Sequence, residues 1–220
     1  MDFSEIVATI SDISIFLPAF LIIIRKNLKG VNRLLSAIIW VTLVRNLASM
    51  VIEYLRKYLS LDLITLFLYN LHNILLFGLI AFLYYTQIKG KGWKWFILSA
   101  FFVFFCLTFV DYQTILYWNI DRFNKFSYPV SGFFSIIFLL LYFYQLLKEL
   151  SVPNLSDYPL FWFSTGGLIY FSGTFFMYLL VQNFTKDPEI GRLYWPIDAI
   201  LSIAFNILAA IAFWKMPSTT

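Results

Sequence analysis

The sequence has little charge, one histidine and one cysteine. Asp, Glu, Lys and Arg make up 13% of its 220 residues, whereas 61% are hydrophobic and 21% aromatic. A soluble domain is about 25% charged and about 45–50% apolar. Together with a mean hydropathy of +0.79, this composition excludes a soluble globular domain and predicts an integral membrane protein.

The scarce residue types also exclude several chemistries. Cys106 has no partner for a disulfide, and His72 alone cannot form a multi-histidine zinc site. The motifs GxSxG, HExxH and CxxC do not occur. Retinal would need a lysine in the middle of the last hydrophobic segment, and the first lysine there, Lys215, lies past its end. We therefore predict that the chain is not an enzyme and has no cofactor, metal or nucleic-acid partner.

Seven stretches approach the length of about 20 apolar residues that a membrane-crossing helix needs. They run approximately over residues 6–24, 34–55, 63–88, 95–110, 129–147, 160–182 and 197–214. The third is long and the fourth is short. The N-terminus carries acids where a signal peptide has a basic region, so we expect the first stretch to stay in the mature protein. The predicted fold class is all-α: a polytopic, seven-helix transmembrane bundle in which residues 1–220 form a single domain.

Basic residues predict the orientation of this bundle. The link between the first two spans, RKNLKGVNR, and the link between the third and fourth, KGKGWKW, contain lysines and arginines but no acid. The positive-inside rule places such links in the cytoplasm. We therefore expect the N-terminus outside and the C-terminus inside the plasma (inner) membrane, an arrangement shared by rhodopsins, G-protein-coupled receptors and sugar transporters with three plus one plus three helices.

Short sequence matches raise the question of an internal repeat. NRLLSAIIW and NLSDYPLFW each place an asparagine eight residues before a tryptophan, and NILLFGLIAF from Asn73 resembles NILAAIAF from Asn206. Parallel repeats joined by a linker helix occur in transporters. A 3+1+3 repeat of spans one to three and five to seven is therefore one reading, and chance similarity of leucine-rich and phenylalanine-rich segments is the other.

The second span carries one continuous polar face. At about 100° per residue, Thr42, Arg45, Asn46, Ser49 and Glu53 fall within an arc of about 100°. Arg45 lies about 16 Å into the predicted span, near the bilayer midplane. Ionisable groups at that depth cost about 2.5–3.5 kcal/mol and usually face the bundle interior. Arginine needs a carboxylate, carbonyls or an anionic ligand, so we expect this face to line a ligand site or a switch.

Polar residues also lie within four other spans. Asn70 and Asn73 share a face of the third span, about 100° from His72. The candidate ligand-binding residues are Arg45, Asn46, Glu53, Asn70, Asn73, Tyr170, Asp198 and Asn206, and the candidate proton-sensitive residues are His72 and Asp12.

For each of these residues a structural role is the alternative. A buried asparagine or histidine can simply hold helices together, and Asp198, after Trp195-Pro196, can complement a helix N-terminal dipole. Glu53, Asp12 and Asp198 are candidate counter-ions of Arg45. Ser172 is also central in the sixth span.

The sixth span resembles a bacterial family. In PLFWFSTGGLIYFSGTFFMYLL, Trp162, Gly167 and the run Tyr170-Phe171-Ser172-Gly173 resemble uncharacterised bacterial seven-helix membrane proteins, some of which look like the membrane sensor halves of histidine kinases. The resemblance covers about a tenth of the chain and implies a membrane input module that acts with a kinase. This sequence ends just after its seventh span, so we expect any output domain to belong to another protein.

Two functions follow from these features. The first is a sensor or receptor-like module, in which an outward-facing pocket among spans two, three, six and seven binds a small polar or anionic ligand and signals to a cytoplasmic partner such as a histidine kinase. The aromatic segment of residues 112–128 is then a candidate lid. The alternative is a small-solute transporter of 3+1+3 architecture, in which Arg45, Asn73 and Asn206 hold the solute at the midplane and Pro18 and Pro129 act as hinges.

Overall fold

The computed structural model describes residues 3–25, 28–55, 62–118, 126–149, 154–184 and 188–216. Within these residues all regular structure is helical, as predicted. The helices are α1 Phe3–Ser14, α2 Phe16–Ile24, α3 Val31–Leu55, α4 Asp62–Gln87, α5 Lys91–Trp118, α6 Ser127–Glu149, α7 Pro159–Phe184 and α8 Pro188–Trp214, with a short 3₁₀ helix, Leu155–Asp157, before α7.

Seven segments in this part of the chain are long and apolar enough to cross a membrane. The first is made of α1 and α2 together, from Phe3 to Ile24, and each of the helices α3 to α8 supplies one more. The chain is therefore an integral membrane protein with the seven spans that the sequence predicts.

The fourth span is longer than the 16 residues of 95–110 suggested. α5 has 28 residues, from Lys91 to Trp118. Lysines do not end a helix near a membrane surface, because their long side chains can direct the charge toward water. The ammonium of Lys94 lies 5.1 Å from the ring centroid of Tyr85, where the aromatic ring compensates part of its lost hydration. The first part of the predicted lid, residues 112–118, is therefore helical, while residues 119–125 lie outside the described residues.

The last span, Pro196–Trp214, agrees with the predicted 197–214, but the helix that contains it begins earlier. α8 starts at Pro188 and continues through Pro196, which lies inside the helix. Proline removes one backbone hydrogen bond, and a membrane helix tolerates this loss where neighbouring groups satisfy the freed carbonyl. Asp198 therefore lies ten residues after the start of α8. Since the helix dipole acts only within the first turn, the interpretation of Asp198 as a dipole partner is wrong.

The first span is interrupted between Ser14 and Phe16. Pro18 has no N–H to donate to the carbonyl of Ser14, and its ring crowds that carbonyl, so the span divides into α1 and α2. The hydroxyl of Ser14 donates to the carbonyl of Ser11 at 2.7 Å and accepts a hydrogen bond from Nδ2 of Asn206 at 2.7 Å. A side chain of α8 thus holds the interruption in place.

The described spans form a ring around a central space. Consecutive spans pack side by side, α8 closes the ring against α1 and α2, and α4 packs directly against α6. α5 contacts α4 and α6 from outside, so the ring itself consists of α1/α2, α3, α4, α6, α7 and α8. α3 also reaches α7 across the ring. This arrangement leaves an interior that five helices can line.

We call the end of the bundle at which α2, α4, α6 and α8 finish the basic end. The described residues there carry eight lysines and arginines but only two acids; these are Arg25, Lys29, Arg33, Lys89, Lys91, Lys94, Lys148, Lys215, Glu149 and Asp157. The largest fully buried side chains, including Leu35, Phe77, Phe138 and Phe213, all lie between the middle of the bundle and this end. The half toward the basic end is therefore packed mainly with large apolar side chains.

Polar contacts close the basic end over this core. The guanidinium of Arg25 donates to the carbonyls of Trp214 and Met216 at 2.7 and 2.6 Å. The last carbonyls of a helix lack partners within it, so Arg25 caps α8. Lys215 pairs with Asp157 at 3.3 Å, and the ends of the first and last spans are thus joined to the segment before α7.

Asp111 forms the cap of α6. This buried carboxylate on α5 accepts hydrogen bonds from the backbone N–H of Phe126 at 3.1 Å and of Ser127 at 2.7 Å. The first N–H groups of a helix have no partner within it, and a carboxylate there also matches the helix dipole. Asp111 therefore fixes where α6 begins relative to α5.

We expect Asp111→Ala to destabilise the protein by about 1–2 kcal/mol, because the buried N–H groups of α6 lose their acceptor. Thermal unfolding of the purified protein in lipid nanodiscs measures this as a lower apparent Tm. Glu149→Ala, which breaks a partly exposed ion pair with Lys89, is the control and should cost less than about 1 kcal/mol. Equal losses in the two variants would contradict a capping role.

Candidate functional site

A cavity of about 50 Å³ lies inside the ring. It is lined by α3, α4, α6, α7 and α8, four of which the sequence assigned to the pocket; α6 is the addition. The lining residues are Ile38, Thr42, Arg45, His72, Leu76, Ile80, Tyr84, Leu139, Phe163, Gly167, Tyr170, Phe171, Ser202, Phe205 and Asn206.

The cavity is polar toward one end and apolar toward the other. Arg45, His72 and Tyr170 line the part farther from the basic end, and the lining continues along α4 to Tyr84, twelve residues or about 18 Å from His72. Near the basic end the hydroxyls of Tyr84 and Ser164 are hydrogen-bonded at 2.8 Å, and both residues are buried. This hydrogen bond joins α4 to α7 at the apolar end of the cavity.

Arg45 is the charged residue among those that line the cavity. Its Nε is buried and has no hydrogen-bond acceptor in the described residues. Among those residues no carboxylate oxygen lies within the 4.0 Å of an ion pair with Arg45. Its guanidinium carbon lies 5.6 Å from the ring centroid of Tyr69, a cation–π contact of about 0.5–2 kcal/mol. This contact does not replace the hydrogen bonds that a guanidinium makes in water.

Tyrosines and one acid surround Arg45 at longer range. Asp198 acts on Arg45 electrostatically through space. The hydroxyl of Tyr128 donates to the backbone carbonyl of Tyr69 at 3.0 Å, and its ring lies 5.1 Å from that of Tyr178. Helices α4, α6, α7 and α8 thus present phenol groups and one carboxylate toward the arginine on α3.

Several buried polar atoms in the half away from the basic end have no hydrogen-bond partner among the described residues. A buried polar group without a partner costs about 1–3 kcal/mol, and such groups in proteins are normally satisfied by water or a ligand. Two of these atoms, Nε of Arg45 and Nε2 of His72, belong to residues that line the cavity and indicate that it is hydrated or holds a ligand. Besides Nε of Arg45, the atoms are Oδ1 of Asn46, Oγ of Ser49, Oδ1 of Asn70, Nε2 of His72, Nδ2 of Asn73, Oγ of Ser127, Oγ of Ser135 and Oδ1 of Asp198.

Four of the ten predicted site residues line the cavity together: Arg45, His72, Tyr170 and Asn206. His72, assigned above to proton sensing or structural packing, lies in the cavity wall. Asn206 both lines the cavity and donates to Ser14.

Asn73 lies outside the cavity lining. Its Oδ1 accepts a hydrogen bond at 3.1 Å from the hydroxyl of Ser131 on α6, so this side chain joins α4 to α6. Asn73 and His72 point about 100° apart on α4. Asn73 therefore contacts α6, whereas His72 lines the cavity.

The remaining predicted residues lie near the cavity or outside the described set. Asn46 is buried on α3, while Asn70 and Asp198 are partly buried in the half away from the basic end. Asp12 is half-buried on α1 and is not among the lining residues. The side chain of Glu53 lies outside the described residues, although its backbone belongs to α3.

Sequence reasoning missed Ser202 and Tyr84. Ser202 lies midway between Asp198 and Asn206 at a spacing of four residues, which puts all three on one face of α8. Tyr84 ends a series that starts at His72 and recurs every four residues on α4. Helical spacing from the polar residues already singled out was the signal that could have identified both.

Comparison of the chain with protein-family models, curated proteins and solved structures finds no match. The function is therefore argued from the geometry of this site.

We expect Tyr84→Phe and Ser164→Ala each to destabilise the protein by about 1–3 kcal/mol. Each variant removes one hydroxyl of the pair and leaves the other, which is buried, without a hydrogen-bond partner. The double variant should lose less than the sum of the two, since neither hydroxyl then remains unpaired. Apparent Tm values of the four proteins in nanodiscs measure the coupling. Strictly additive losses would show that the hydrogen bond contributes nothing specific.

Proposed function

We propose that the protein is a sensor or receptor-like module of the inner membrane, whose cavity binds a small polar or anionic ligand and signals to a cytoplasmic partner. The observation that carries this proposal is the guanidinium of Arg45, which lines a cavity in the membrane interior without an ion pair in the described residues. An arginine in that setting binds a partner group, and intramembrane charges mark functional sites.

The asymmetry of the bundle supports an outward-facing cavity. The unpartnered polar atoms lie in the half away from the basic end. Toward the basic end the lining of the cavity is mainly apolar as far as Tyr84, and the helix ends beyond it are joined by the contacts of Arg25 and Lys215. By the positive-inside rule the basic end is cytoplasmic. A ligand then enters from outside and meets Arg45 about halfway through the membrane.

Signal transmission follows from the helices that share the cavity. A ligand held by Arg45, Tyr170 and Asn206 would contact α3, α7 and α8 at once, and so favour one relative placement of these helices. The guanidinium of Arg25, at the end of the first span, binds carbonyls at the end of α8. A shift of α8 would therefore be transmitted to the first span at the basic end. A cytoplasmic histidine kinase or other signalling protein is the partner that the resemblance of the sixth span implies.

We infer a small-solute transporter of 3+1+3 architecture as the second candidate, on one specific observation. Asn73 of the third span bonds Ser131 of the fifth, and Asn206 of the seventh bonds Ser14 of the first. If spans one to three are equivalent to spans five to seven, these two contacts are equivalent, because each joins the third span of one repeat to the first span of the other. Exchanging the two repeats also preserves which helices of the ring are in contact, and α5, which lies outside the ring, would be the linker helix between the repeats.

A second correspondence points the same way. When NRLLSAIIW and NLSDYPLFW are aligned at Trp40 and Trp162, Arg45 corresponds to Gly167, and both line the cavity. One repeat would then contribute the arginine to the cavity, and the equivalent glycine of the other repeat would leave space beside it. The interruption near Pro18 is of the kind found in transporters, whereas α8 continues through Pro196, and Pro129 lies in the first turn of α6 and interrupts nothing.

The outward route predicts a pattern of chemical labelling. With Cys106 replaced by serine, we expect Ser49→Cys, one turn beyond Arg45 away from the basic end, to react with a membrane-impermeant thiol reagent added outside and not with reagent added inside. Ser135→Cys, whose parent residue is 1% exposed in α6, is the matched control and should stay unreacted. Reaction from the inside alone would reverse the proposed orientation.

Liposome flux separates the two functions. For a sensor, reconstituted protein should give no uptake of small anions or neutral solutes above protein-free liposomes, while ligand changes the distance between spin labels on α3 and α7. A transporter should give uptake that Arg45→Gln abolishes and that Arg33→Gln, an exposed change on the same helix, leaves intact. Uptake that survives Arg45→Gln would remove Arg45 from either mechanism.

A further inference from the structure

The size of the cavity limits what it can hold. An engineered cavity of about 150 Å³ accepts benzene, which has six heavy atoms. The cavity around Arg45 has about 50 Å³, about a third of that volume, so it fits a ligand of only a few heavy atoms. Sugars and amino acids larger than this are excluded from the state that the structure describes.

The charge of the lining limits the ligand further. Arg45 is the charged group among the lining residues, and it attracts anions and repels cations into a region of low dielectric constant. Asp198 already acts on Arg45 through space without an ion pair. The single positive charge of Arg45 can compensate at most one negative charge on a ligand, and Asp198, which does not line the cavity, adds no positive charge. A divalent anion would leave uncompensated charge near the midplane, where it is costly.

Hydrogen-bond donors lie beside the guanidinium. Nε2 of His72 is buried without a partner in the described residues, and the hydroxyl of Tyr170 lines the same part of the cavity. Thr42 cannot add a donor, because its hydroxyl donates to the carbonyl of Ile38 at 3.0 Å. Arginine binds planar oxyanions through two parallel hydrogen bonds, and a phenol or an imidazole can complete the shell.

We propose that the cavity binds a small monovalent anion, a halide or a planar oxyanion of up to four heavy atoms, through Arg45 with Tyr170 and His72. This inference rests on the proposed function and narrows its ligand. Chloride, nitrate, formate and acetate are the probes, since they cover this charge and size.

The test is the apparent Tm of the protein in nanodiscs, titrated with the sodium salt of each probe at constant ionic strength. Sodium gluconate, whose anion is too large for the cavity, makes up the balance. At least one probe should give a saturating rise on the order of 5 °C, as expected for a ligand that binds only the folded state. No rise with any probe, or an equal rise with gluconate, would overturn the proposal.

Variants locate the effect. Arg45→Gln should abolish the rise, whereas Arg33→Gln, which removes the same charge from an exposed position on the same helix, should keep it. Tyr170→Phe should raise the half-saturating concentration about tenfold, because one hydrogen bond to the anion is lost, and it stands in if Arg45→Gln does not fold. If the rise in apparent Tm were unchanged in both Arg45→Gln and Tyr170→Phe, the anion would bind outside this cavity.

The two proposals fail separately. Labelling of Ser49→Cys from outside without any anion effect would leave the outward-facing cavity standing and refute the small anion as its ligand. An anion effect that depends on Arg45, without outside labelling, would keep the ligand and refute the route.

Discussion

The guanidinium of Arg45 imposes the constraint on which the arrangement of the bundle depends. A charge near the bilayer midplane must face away from lipid, so the helix that carries it turns one face inward and leaves Val44, Leu47 and Val51 toward lipid. The interior that receives it must then offer polar surface and cannot close as a dry core. Tyr69 and Tyr170 from α4 and α7 border the guanidinium, and the cavity is the space that this packing leaves.

The rest of the molecule compensates for that open interior. From the middle to the basic end large apolar side chains such as Phe77 and Phe138, whose ring centroids lie 5.9 Å apart, pack between the helices. Contacts among the helix ends, with Arg25 over the carbonyls of α8, hold this half together. The part of the bundle toward the basic end therefore consists mainly of packed apolar side chains, and the polar end of the cavity lies at Arg45, His72 and Tyr170.

Some parts of this structure could be predicted from the sequence and others could not. Hydropathy located all seven spans, and the polar period on α3 placed Arg45 in the interior. The fourth span was underestimated because Lys91 and Lys94 read as helix boundaries, although a lysine can direct its charge to the interface. The seventh span was located correctly, but its helix extends beyond Pro196, which a membrane helix can tolerate. On α4 the sequence ranked Asn73 above His72, and it is His72 that lines the cavity.

The sequence by itself determined that the chain crosses the membrane seven times and that one helix carries an interior face with a charge, because both follow from composition and period within single segments. Only the tertiary structure decided which polar residues meet. In a membrane protein the lipid-facing and interior faces of a helix are both apolar. Hydrophobic periodicity therefore predicts which face of a helix points into the bundle only where a charge such as Arg45 marks one face. The rotation of α4 and α8, and with it the choice among His72, Asn73 and Asn206, was fixed by packing between helices.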